Sequence, residues 1–215
     1  MTIKIILAAA ALLGLFLGWV LSSRRRLAAR HDSVKKLATA LGCDLEEYGP
    51  ETALLDGTGL PFFLEARKGV GRNMLRFTDD GAFEARFFDY AYLGAGDSKA
   101  ACTVALFDFK KDLFPGFFLS PDASGVQPQL SGFEAMDAKG VPGLPEGARL
   151  YTADPARTAA LLNKDKAALF AAEPEWNAQA GGSWLLLYKT GQLAQPGSYH
   201  IFMDSAKKMA WRLTA

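Results

Sequence analysis

Cysteine and histidine are scarce in this chain: only Cys43 and Cys102, and only His31 and His200, occur among 215 residues. Two cysteines 59 positions apart form neither a zinc pattern nor a redox pair. Free, buried thiols are therefore expected. A helical metal pair needs partners at i+3 or i+4, and only Asp204, four residues after His200, meets that spacing. One such pair arises readily by chance, so both histidines read as surface or cap residues. Ser98, Ser183 and Ser205 lack the Gly-x-Ser-x-Gly context of a nucleophile elbow. The glycine pairs in Gly69-Val70-Gly71-Arg72 and Gly94-Ala95-Gly96-Asp97 are flanked by strand signals, with no helix following to face a phosphate. Both read as hairpin turns. No cofactor is expected.

Acidic residues are missing from positions 1–26, where Lys4, Arg24, Arg25 and Arg26 stand. The rest of the chain holds 20 basic against 23 acidic residues, a net of −3. That balance argues against nucleic acid as a partner, because phosphate binding needs a positive field. Internal repeats and low-complexity tracts are also absent. Half of the residues are apolar, enough for one domain with a core of its own.

Long apolar runs occur once. Ile5 to Leu21 is unbroken, and Ser22 and Ser23 extend it without charge. A helix of that length spans roughly 26–29 Å, close to the hydrocarbon thickness of a bilayer. A cleaved signal peptide would need a small-residue cleavage site after the run. Arg24-Arg25-Arg26 stands there instead, and reads as a topology signal. Six basic side chains follow the run closely and one precedes it, which predicts a cytoplasmic C-terminal domain and an outward N-terminus in the inner (plasma) membrane. Ala10, Gly14, Gly18 and Ser22 recur every four residues along one helix face. Two readings stay open for this stripe: close packing of two anchors as a homodimer, or the ordinary small-residue content of a membrane helix.

The expected organisation is an anchor at 1–23, a juxtamembrane helix at 24–42 and an α+β globular domain at 43–215, with a mostly antiparallel sheet and packing helices. Leu27, Val34, Leu37 and Leu41 form the apolar stripe of the juxtamembrane helix, and Gly42 stops it. Strands are expected at Pro61–Ala66, Asn73–Thr78, Phe83–Leu93, Ala100–Phe109, Pro115–Leu119 and Arg149–Thr152. The Gly94–Ser98 loop pairs Asp89 with Thr103 and Phe87 with Ala105, in a hairpin apolar on both faces and hence central. Residues 121–147 read as a long surface connection with one helical turn near Gly132–Ala138. Asp154-Pro155 starts a helix, Trp176–Lys189 forms a hairpin across Gly181-Gly182, and Ser198–Leu213 is a helix.

The strand Phe88-Asp89-Tyr90-Ala91-Tyr92, then Thr103-Val104-Ala105-Leu106, then Pro115-Gly116-Phe117-Phe118-Leu119-Ser120-Pro121 resembles a series found in uncharacterised bacterial single-pass membrane-anchored proteins. There an FDY-x-Y strand precedes a T-V strand and an LP-x-F-x-L-x-P segment. Trp184 to Tyr188 extends the match, and Phe114-Pro115-Gly116 departs from its Leu-Pro. The resemblance implies architecture and brings no activity with it.

Asp89 is the one polar residue in this strand that demands an account. A carboxylate among apolar neighbours must be hydrogen-bonded or paired. The expectation is a structural contact with Thr103, a tyrosine or a backbone amide. The alternative is a general acid or base in a membrane-anchored hydrolase or transferase. The functional expectation is a membrane-tethered, non-enzymatic interaction or assembly domain with an unknown protein partner.

Overall fold

A computed structural model describes the backbone of residues 2–79, 81–94, 97–120, 132–137 and 140–215, and their side chains from residue 16 onward except that of Arg67. Helix α1 (Thr2–Leu41) is continuous, without a break between anchor and juxtamembrane segments. It ends at Gly42, whose φ of +65° suits a residue without Cβ. Among the described residues no helix is long and apolar enough to cross a membrane. The side chains of Ile5 to Leu15, most of the apolar run, lie outside the described residues, as do those of Ala10 and Gly14.

The remaining elements are β1 (Leu45–Tyr48), α2 (Thr52–Gly57), α3 (Pro61–Glu65), β2 (Arg67–Asp79), β3 (Phe83–Leu93), β4 (Lys99–Asp108), β5 (Phe114–Ser120), β6 (Glu134–Met136), β7 (Arg149–Thr152), α4 (Pro155–Leu161), α5 (Lys164–Ala172), β8 (Asn177–Gly182), β9 (Trp184–Tyr188) and α6 (Tyr199–Thr214). The described strands form one antiparallel sheet in the order β1-β2-β3-β4-β9-β8-β5-β7-β6. The fold class is α+β. Asp89 pairs with Thr103 and Phe87 with Ala105 across the central β3–β4 hairpin.

Strand alternation sends the two sets of β3 side chains into different cores. Phe83, Ala85 and Phe87 join the larger cluster beneath α1, α5 and α6. Phe88 and Tyr90 join a smaller one with Leu55, Phe62 and Phe63 from α2 and α3. The sequence places Phe202, Ala206, Met209 and Leu213 on one face of α6; the helix buries Ala206, Met209 and Leu213 with Met203, and Phe202 is half-buried. Asp154 caps α4 by accepting from the Arg157 amide, and Asn163 caps α5 through the Lys166 amide.

Four local expectations are corrected. Pro61–Ala66 is not a strand: Pro61 occupies the first turn of α3, where its fixed φ and missing N–H are harmless. Gly69–Arg72 is not a turn but the interior of β2. Its glycines permit close approach, since a Cβ on Gly69 would lie 1.8 Å from the Tyr90 hydroxyl and one on Gly71 2.8 Å from the Gly49 Cα. The expected helical turn near Gly132 gives way to β6, which pairs Ala135 with Tyr151 of β7. The rest of that connection, 121–131 with 138 and 139, lies outside the described residues. On α1, Val34 and Ala38 are buried, whereas Leu27 and Leu41 are exposed. The docking face holds Arg30 in place of an apolar residue.

Candidate functional site

The most elaborate polar arrangement lies where α1 crosses β2, β3 and β4. Arg30 donates from Nε to Asp89 Oδ2 at 2.6 Å and from Nη2 to Asp89 Oδ1 at 2.7 Å. This is the fork geometry in which guanidinium best matches carboxylate. Asn73 Nδ2 donates to Oδ2 at 3.0 Å, and the Thr103 hydroxyl donates to Oδ1 at 2.9 Å. Each carboxylate oxygen therefore has two donors. His31 Nδ1 lies 2.9 Å from Asn73 Oδ1, so a second α1 side chain joins the network.

Backbone geometry brings Asn73 there. Its φ is +54°, and the β2–β3 register shifts between Arg72 and Leu75. A bulge of this kind turns a side chain out of strand alternation, and asparagine tolerates the left-handed conformation. Thr103 serves both sides of the sheet's edge here. Its hydroxyl accepts from the Ala194 amide at 2.8 Å, and its own amide donates to the Gln192 carbonyl at 2.9 Å. The loop after β9 is thus tied to the residue that contacts Asp89.

Electrostatics agree with the geometry. Burial opposes the charge on Arg30, but the hydrogen bond and charge of Asp89 outweigh it and hold the guanidinium pKa above its ordinary value. Burial likewise pushes the Cys102 thiol up to about 12, with the Asp89 charge adding to the shift. Cys102 is an inert core thiol, Cys43 is half-buried, and both are free. Tyr199 is buried near the ion pair, its pKa raised first by burial and then by Asp89. Its hydroxyl has no hydrogen-bond partner among the described residues.

The other singled-out residues stay apart from this network. Gly18 and Ser22 are exposed on α1, and a Cβ on Gly18 would meet open space. Arg24, Arg25 and Arg26 are exposed, with Arg26 lying 3.5 Å from Ser23 Oγ. His200 is exposed at the start of α6. Among the described residues no cluster of His, Cys, Asp or Glu could hold a metal. Arg30, His31 and Asn73 escape a sequence reading because Arg30 and His31 sit among other polar residues and Asn73 interrupts a strand. The usable signal was Arg30 itself, one turn before Val34 on the docking face.

A wide groove of about 1140 Å3 lies beside the network, between α6 and the 189–198 loop. Trp176, Ile201 and Phe202 line it together with Lys189, Glu173 and Lys208. Glu173 is held by the Ser205 hydroxyl at 2.6 Å and the Trp176 indole N–H at 2.7 Å.

No family model matches the chain, and no curated protein matches it. The fold is similar to that of a solved structure, the mycobacterial trehalose monomycolate transport factor A, TtfA. The TM-score is 0.62 at 13% identity, over 88% of this chain and 93% of that one. At that identity the likeness shows a shared fold.

Proposed function

We propose that this chain is a membrane-tethered, non-enzymatic assembly or transport-accessory domain, of the architecture its motifs share with uncharacterised single-pass bacterial proteins. The observation that carries the non-enzymatic reading is the saturation of Asp89. Its carboxylate meets Arg30, Asn73 and Thr103 within a filled core, leaving no oxygen to receive a substrate proton. The same contacts speak against an Asp89-based hydrolase or transferase. The fold likeness to a trehalose monomycolate transport factor fits an accessory role.

The tether reading rests on the Ile5–Leu21 run and on the single helix that carries it into the domain. Phe16, Leu17, Trp19 and Leu21 are each more than half exposed, an apolar surface that a bilayer would cover. The basic excess after the run favours a cytoplasmic domain. Two measurements test the proposal. Alkaline carbonate washing should leave the full chain in the membrane pellet, and release of the full chain would sink the tether. In mild detergent the protein should migrate as an assembly larger than its own 23.2 kDa, and a monomer by light scattering would sink the assembly reading.

A further inference from the structure

The geometry points to the α6 groove as a binding site for an anionic, single-chain amphiphile drawn from the same bilayer. The inference rests on the tether reading for the source of the ligand, but not for the chemistry of the site. Three observations carry it.

The first is position. Arg30 follows Ser23 by seven residues, so it stands roughly 10 Å along α1 from the end of the apolar run. Arg30 contacts Thr103, and Thr103 holds Gln192 and Ala194 of the groove wall. The turn Pro196–Ser198 packs against α1 and carries Ser198 to the groove's edge. The groove therefore opens near the membrane surface.

The second is the lining. Ile201 is 59% exposed on the outer turn of α6, next to Phe202 and the indole of Trp176, whose rings meet tilted with centroids 4.9 Å apart. An aliphatic chain laid along Ile201 and the half-buried Phe202, above the buried Trp176 indole, would remove apolar surface from water.

The third is charge. Of the groove's acids, Glu173 is held by Ser205 and Trp176, and the largely exposed Asp204 pairs with Lys207 at 3.1 Å. Lys189 lies over the Trp176 ring at 5.2 Å, pairs with the largely exposed Glu175 at 2.9 Å and also faces Glu173. Lys208 faces Glu173 from the next turn of α6. Two ammonium groups beside an apolar floor complement a carboxylate or phosphate attached to a chain. An extended peptide fits less well, because Gln192 and Ala194 already occupy the edge of β4 at Thr103.

The test uses the full chain in neutral detergent, with Trp19, Trp184 and Trp211 replaced by phenylalanine so that Trp176 alone fluoresces. Dibromostearate should quench Trp176 saturably, and its methyl ester should bind about tenfold more weakly for want of the anionic group. Ile201→Glu, at an exposed position, and the Lys189→Gln/Lys208→Gln pair should each weaken quenching by a similar factor. Quenching that rises linearly with mole fraction and ignores these substitutions would overturn the proposal as micellar partition. Should the tryptophan replacements disturb folding, a diazirine-bearing palmitate can be photolysed with the wild-type chain. Adducts are expected within 189–208; labelling confined to α1, or capture only of peptide ligands, would equally overturn it. Saturable binding by a chain that fails the carbonate test would refute the tether while leaving the site intact.

Discussion

The two faces of the central hairpin solve the same burial problem with different chemistry. On one, β3 offers Phe88, Tyr90 and Tyr92 to Phe62 and Phe63 of the α2–α3 segment, and the rings meet tilted or edge to face at 4.3–5.5 Å between Phe62 and its neighbours. Polar atoms there are few: Gln179 accepts from the Phe62 amide, 117 residues away, and donates to the Tyr188 hydroxyl. On the other face, α1 buries Val34 and Ala38, packs the half-buried Leu37 beside them and adds a bidentate ion pair. Aromatic packing tolerates small shifts, whereas a forked ion pair admits one seating of the helix. The contrast teaches that α1 is docked for register rather than for area. An ion pair of this kind is weak evidence for stability but strong evidence for placement.

The comparison breaks most severely on the aromatic side. Phe88→Ala should lower unfolding free energy by about 4 kcal/mol, because a fully buried ring leaves a cavity that the sheet cannot close. Urea unfolding followed by circular dichroism in detergent measures it. Next comes Arg30→Met, expected to destabilise by about 3 kcal/mol by leaving Asp89 buried without its charge partner. Adding Asp89→Leu to that variant should restore most of the loss; a strictly additive double variant would show that the two residues do not act as a pair. Asn73→Gly keeps the left-handed backbone and removes one donor to Asp89, and should cost about 1 kcal/mol by the same assay.

The smallest effect is that of pH, and it lies outside both the aromatic cluster and the Arg30–Asp89 pair. Burial opposes the charge on Asp108, but hydrogen bonds from Lys110 more than reverse this and hold its pKa below the ordinary 3.8. Burial likewise opposes Glu173, and Ser205 and Trp176 reverse it to below 4.5. A folded-state pKa below the unfolded one stabilises the protein at higher pH. That contribution is complete above the unfolded values and is lost as pH falls through the folded ones. The unfolding midpoint should therefore hold from neutrality to about pH 5 and decline below about pH 4. Glu173→Gln should flatten part of the decline, and an unchanged acid profile in that variant would remove Glu173 from the account.

Much of the fold was legible because it depends on local pattern. The apolar run on both faces of Phe83–Leu93 and the glycine loop after it defined the central hairpin, and the loop set its register. Asp154-Pro155 announced a helix because capping and proline geometry act within four residues. Pro61-Phe62-Phe63-Leu64 misled for the same local reason: a short apolar run has no period of its own, and here the proline starts a helix.

The sequence by itself determined the apolar run of α1, the α+β class, the hairpin and the need of Asp89 for a partner. Only the tertiary structure decided who that partner is. Arg30 is 59 residues away and Asn73 is turned inward by a bulge, and no spacing rule connects them. One wall of the groove, too, is placed by Thr103, which ties the loop after β9 to β4 across 91 residues of chain. Contacts of that separation are selected by the packing of whole elements, in which each side chain settles against surfaces its own neighbours in sequence do not supply.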